Sequence, residues 1–185
     1  MKLLALCGSI RKASWNQKLL NLIAAELREK GHEVDVFDLR AANIPVYDQD
    51  LDATPPPGVV DLKNRAAAAQ GFVICTPEYN YSVPGILKNV IDWVSRPSAA
   101  KNPLRDKLVF QAGCTNGPGG TLQAQMHLRH VLNYGLGAWV SPSQYTLSQI
   151  GQHLDDAGNF KDPNQKKMLA YVLTPFLDEL KRRNP

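Results

Sequence analysis

Apolar positions along the chain alternate between short continuous runs and longer stretches at helical spacing. The first run, Leu3 to Cys7, is apolar throughout, the pattern of a strand covered on both faces. Ser14 followed by Gln17 makes a capping-box pattern. Leu19, Leu20, Ile23, Ala24 and Leu27 then recur on one helix face until Gly31 stops it. Val34, Val36 and Phe37 mark a second strand. From Asn43 to Gly58 the chain carries Pro45 and consecutive prolines at 55 to 57, and reads as loop. Val59 to Gln70 predicts a helix and Phe72 to Thr76 a third buried strand. Pro84 suits the first turn of a helix whose Ile86, Leu87, Val90, Ile91 and Val94 face the core. Leu108 to Ala112 predicts a fourth strand, Leu122 to about Leu132 a helix, and Ala138 to Val140 a short fifth strand. Asp162 and Pro163 read as N-cap and first residue of a last helix reaching about Arg182, which Pro175 should kink or split near Thr174.

Five strands alternating with five helices predict an α/β three-layer sandwich: a five-stranded parallel sheet in the order 2-1-3-4-5 with helices on both faces. The 185 residues, 44% of them hydrophobic, suit one domain spanning 1–185. No apolar run approaches the roughly 20 residues of a membrane crossing. The opening MKLLALCGSI turns polar too early for a secretory signal, so a cytoplasmic protein with no membrane partner is expected. Cys7, Cys75 and Cys114 lie far apart in sequence and read as reduced, buried groups. The net charge of +4 does not imply a nucleic-acid partner, because the basic residues are scattered. Their one cluster, Lys181 to Arg183, falls on a helix end that favours positive charge.

In such a sheet a ligand sits beyond the carboxyl ends of the strands, at the switch point between strands one and three. The least ordinary loops of the chain fall there. After strand one comes Gly8-Ser9-Ile10-Arg11-Lys12-Ala13-Ser14-Trp15-Asn16, running into a helix N-terminus that favours an anion. Ser9 and Ser14 offer hydroxyls, Arg11 a forked cation and Asn16 an amide, a set that suits a phosphate. No Walker pattern and no complete G-x-G-x-x-G is present. After strand three, Thr76 to Gly85 brackets a polar aromatic segment between Pro77 and Pro84. That stiff loop suits a planar ligand, whereas alone it would serve equally as surface packing. After strand four, Ala112 to Gly120 holds four glycines that allow close approach of backbone to ligand, or simply a flexible turn.

At this point the chain resembles the NAD(P)H-dependent FMN reductases of flavodoxin-like fold, which include quinone, azo-dye and chromate reductases. The stretch GSIRKASWN resembles that family's phosphate loop, TPEYNYSVPGILKNVIDWVSR its signature around the flavin ring, and IPVYDQDLD its loop after strand two. The resemblance extends from Lys2 to about Leu132. It implies that Ser9, Arg11, Ser14 and Asn16 hold the FMN phosphate, and that Pro77, Glu78, Tyr79 and Asn80 line the ring system with Ser82 nearby. Relatives often carry a serine at the end of strand four. Here Gly113 and Cys114 stand in its place, and with Thr115 they are the candidates for contacts to the ribityl or pyrimidine edge.

The implied activity passes electrons from NADPH or NADH, through FMN, to a small acceptor such as a quinone, azo compound, free flavin or chromate, with no catalytic side chain and no metal. Arg96, Lys101 and Arg105 are candidates for a donor 2′-phosphate, beside the plainer reading as solvated charges. The resemblance also implies a homodimer or homotetramer. Trp93, Val94, Leu128 and Val131 could form its seam or belong to the core. Two rival functions are a flavodoxin-type electron carrier, in which an acidic surface is usual, and a regulatory module without cofactor.

Overall fold

The computed structural model describes residues 1–96 and 102–184. Five strands, β1 (Lys2–Cys7), β2 (Glu33–Phe37), β3 (Gly71–Cys75), β4 (Leu108–Cys114) and β5 (Trp139–Leu147), form one sheet in the order β2-β1-β3-β4-β5. Every neighbouring pair is parallel, as the alternation of patterns requires. The helices are α1 (Trp15–Glu29), α2 (Leu39–Ala42), α3 (Pro57–Ala68), α4 (Gly85–Ser95), α5 (Leu122–His130) and α6 (Pro163–Arg183).

Alternation along each strand feeds two separate cores. Leu3, Ala5 and Cys7 of β1 meet Leu20 and Ile23 of α1 and Leu173 and Phe176 of α6. Leu4 and Leu6 point the other way, toward Val59 and Leu62 of α3 and Leu87 and Val90 of α4. Strands apolar on both faces follow from this double cover, and each fully buried leucine contributes about 1.5–3 kcal/mol.

Local chemistry accounts for the element ends. Ser14 Oγ accepts from Gln17 N at 3.3 Å, but the reciprocal arm of the capping box is missing, since Gln17 Nε2 turns to Asn21 Oδ1 at 3.0 Å. Asp162 Oδ1 accepts from Asn164 N at 2.8 Å and starts α6 as expected.

Four expectations need correction. A short helix α2, capped by Asp38, precedes the expected loop, which itself holds a 3-10 turn at Gln49–Leu51 and ends where α3 begins at Pro57. Pro84 is the N-cap of α4 rather than its first helical residue. Helix α6 runs unbroken through Pro175, because the carbonyl of Tyr171 that the proline leaves unpaired lies on an exposed face where water can satisfy it. Strand β5 is nine residues long instead of three. Its register against β4 moves from Val109↔Val140 to Gln111↔Gln144, so Pro142 sits in a bulge on an edge strand, where a missing donor costs little.

Candidate functional site

Three loops leave β1, β3 and β4 at adjacent points of the carboxyl edge. Gly8 N donates to Cys75 O at 2.8 Å, closing the first loop against β3. A Cβ at Gly8 would lie 3.1 Å from Leu87 and 3.4 Å from Pro77, so only a small residue lets the loop pass under the second one. Arg40 donates through Nε to the carbonyl of Ile10 at 2.9 Å and holds the loop from outside.

Asn16 is buried at 4% exposure. Its Nδ2 donates to Cys114 O at 2.9 Å and its Oδ1 accepts from Cys114 N at 3.0 Å. The amide therefore staples the start of α1 to the end of β4, and its second Nδ2 hydrogen and the main-chain N–H of Asn16 are the donors left at the helix N-terminus.

In the second loop Tyr79 and Ser82 exchange two main-chain bonds of 3.1 Å. Asn80 and Tyr81 between them have φ of 51° and 59°. Positive φ at both central positions is the mark of a type I′ turn; asparagine takes it readily and tyrosine only under constraint. The turn leaves Tyr79 half-exposed and Tyr81 fully in solvent. Glu78 Oε2 accepts from Ala124 N at 3.1 Å, so its carboxylate caps α5, whose own N-cap Thr121 makes no side-chain cap. Ser82 Oγ lies 3.0 Å from His127 Nδ1 of the same helix.

Strand β4 runs two residues further than expected, which places Gly113 and Cys114 inside it. Gly113 is covered: a Cβ there would fall 2.0 Å from Thr121 Oγ1 and 2.5 Å from Thr76 O. Packing against these two groups requires glycine there.

A cleft of about 150 Å³ opens where the loops meet. Ser9, Arg11, Ser14, Asn16, Pro77, Glu78, Tyr79, Cys114 and Thr115 line it, nine of the residues singled out from sequence, together with Trp15 and Asn116. Asn80, Ser82 and Gly113 are not among its walls. Trp15 and Asn116 stood inside segments already of interest and were passed over; His127, in the middle of a helix, carries no local signal.

The model of the NADPH-dependent FMN reductase family matches residues 1–152. The chain belongs to this family. An NAD(P)H-dependent FMN reductase of Pseudomonas aeruginosa is 32% identical over 94% of this chain and 91% of its own. A quinone reductase of Escherichia coli K12 is 38% identical over 98% and 96%. Among solved structures, FerB of Paracoccus denitrificans, a flavoenzyme NAD(P)H:(acceptor) oxidoreductase, superposes with a TM-score of 0.85 at 29% identity, covering 98% of both chains.

Within this reductase fold the other sequence candidates scatter. Arg105 sits at the amino end of β4, beside Gly137, at the opposite edge of the sheet from the cleft, because the segment before a strand lies at its amino end. Arg96 stacks over the Tyr47 ring at 5.0 Å, and Lys101 lies outside the described residues. Trp93, Val94 and Leu128 are buried in the core, with Val131 packed against it. Among the described residues no helix is long and apolar enough to cross a membrane.

The three cysteines, distant in sequence, meet in one core beneath the cleft. Cys7 pairs in register with Cys75, and Cys114 ends the next strand. Burial pushes Cys7 up to about 11 and Cys114 up to about 12, and raises Cys75 well above its usual value, with the two neighbouring thiols adding to the effect. All three are therefore neutral thiols near pH 7, and a thiol reagent should label none until the protein unfolds. The folded state also holds these protons more tightly than the unfolded one. Stability should be unaffected by the thiols below their usual pKa of 9.0 and fall as pH rises from there toward 11, read as a declining Tm.

Proposed function

We propose that the cleft holds FMN and that the chain uses it to carry electrons from NADPH or NADH to a quinone-type acceptor. The observation that carries the reading is the convergence of Ser9, Arg11 and Ser14 with Pro77 to Tyr79 and Thr115 in one cleft, drawn from three separate loops.

The donor set fits the cofactor. Ser9 and Ser14 hydroxyls, the Arg11 guanidinium and the unpaired N–H groups at the start of α1 all suit a phosphate dianion. At about 150 Å³ the cleft takes the phosphate and sugar chain but not the whole ring system, which then lies along the rigid Pro77–Asn80 segment against half-exposed Tyr79. FMN, when bound, supplies the two-electron chemistry. The protein's part is to neutralise the phosphate, to fix the ring edge with main-chain groups of a stiff loop, and to leave one ring face open. Donor and acceptor then use that face in turn, which predicts parallel double-reciprocal plots when both are varied.

Fluorescence quenching on titration with FMN tests the reading directly, followed by anaerobic addition of NADPH and loss of the flavin absorbance. Absence of FMN binding would sink it, and binding without bleaching by either nicotinamide would favour the electron carrier. Arg11→Ala should weaken FMN about 10- to 100-fold, the worth of one charge-assisted contact, roughly 1.5–3 kcal/mol.

The proposal extends to a homodimer or homotetramer in the cytoplasm. Leu122, Met126 and Tyr134 leave an apolar stripe exposed on α5 and the turn after it, at 45%, 55% and 83% exposure. That is the face a second copy would cover. Met126→Asp should lower the mass seen by light scattering to that of one chain, and an unchanged mass removes this face from the seam.

A further inference from the structure

A second cavity, of about 310 Å³, opens on the other side of the phosphate loop, between β1 and β2. It shares Ser9 and Arg11 with the flavin cleft, so the two are compartments on either side of one loop. Val36, Phe37 and Leu39 give it an apolar floor, and Lys12 and Arg40 a basic rim. Lys12 lines this cavity and not the flavin cleft. Asp38, directly after β2, stands at its mouth. Its Oδ1 is taken by the N–H groups of Arg40 and Ala41, at 2.9 and 3.1 Å, and Oδ2 is directed to no partner among the described contacts.

We infer that this cavity is an adenylate site joined to the flavin site through the phosphate loop. The volume lies within the range of about 300–1,000 Å³ typical of small-molecule pockets. An adenine ring needs an apolar floor, a ribose hydroxyl needs an acceptor such as Asp38 Oδ2, and the phosphate needs the cations at the rim. The inference rests on the FMN reading, because the shared loop then holds a phosphate to which adenylate can be attached or beside which it can lie. Two ligands carry that chemistry: FAD, whose adenylate would extend from the flavin phosphate, and the nicotinamide donor.

The test uses binding, not turnover, on the full chain. FMN and FAD are titrated by flavin fluorescence, and 5′-ADP by calorimetry with and without FMN present, on the wild type, Lys12→Glu and Asp38→Asn. Asparagine keeps the oxygen that caps α2 and removes the ribose acceptor, so the second variant guards against misfolding of the first. If FAD is the source, it binds within about tenfold of FMN, Asp38→Asn weakens FAD about tenfold while moving FMN less than twofold, and Lys12→Glu weakens FAD more than it weakens FMN. If the donor is the source, 5′-ADP binds the FMN-loaded protein, the variants weaken it by the same factor, and FAD is rejected. The inference is overturned if 5′-ADP does not bind and FAD responds to the variants no more than FMN does. Failure of FMN alone to bind would instead strike the underlying reading, and the 5′-ADP titration of the unloaded chain would still decide this one.

Discussion

Asn16→Ala should lower the Tm of the unloaded protein by about 5–15 °C, although the side chain is small and belongs to no hydrophobic cluster. The substitution orphans the buried N–H and carbonyl of Cys114 together, at about 1–3 kcal/mol each, and for a chain of this size each kcal/mol is worth about 2–4 °C. The same change frees the start of α1 from the end of β4, so FMN affinity should fall as well. Thermal melts of the unloaded chain and an FMN titration measure the two effects separately. If the Tm moves by less than 2 °C while FMN affinity collapses, the amide touches the ligand and is not a staple.

The second large effect is expected at Gly113. Alanine there drives its Cβ into Thr121 Oγ1 and the Thr76 carbonyl, and the carbonyl belongs to main chain directly before Pro77. Overpacking of this kind costs about 1–3 kcal/mol and sometimes more, a Tm loss of about 3–10 °C. Displacing Thr76 also tilts the Pro77–Asn80 segment, so FMN affinity should drop with stability. Thr121→Gly in the same chain removes the side-chain clash and leaves the carbonyl one. The double variant should recover part of the loss, and full recovery would show that the Thr76 carbonyl yields freely.

The sheet order and the three loops were legible because they are written in local patterns: a buried run, a cap such as Ser14, a proline pair such as Pro77 and Pro84. What escaped depended on partners remote in sequence. Asn16 reads as a phosphate ligand, and nothing local announces that its side chain also staples Cys114, 98 residues away. Glu78 reads as a ring neighbour, and its carboxylate caps a helix 46 residues on. Strand β5 is expected only to Val140, because nothing local announces that the strand is an edge and bulges at Pro142. For Arg105 the plainer reading as a solvated charge stands, and the donor contact does not. A charge near a signature in sequence can lie at the far end of a strand, on the wrong rim of the sheet.

The burial of Cys7, Cys75 and Cys114 also bears on chemical durability. Quinones are electrophiles, and the protein group they alkylate fastest is a thiolate. Cys114 lines the cleft and Cys7 shares the core with it, both buried and neither one ionised near pH 7, since the packing that closes the three loops also keeps protons on their sulfurs. An electrophilic acceptor of the kind proposed above should therefore leave these thiols unmodified for as long as the fold stays closed.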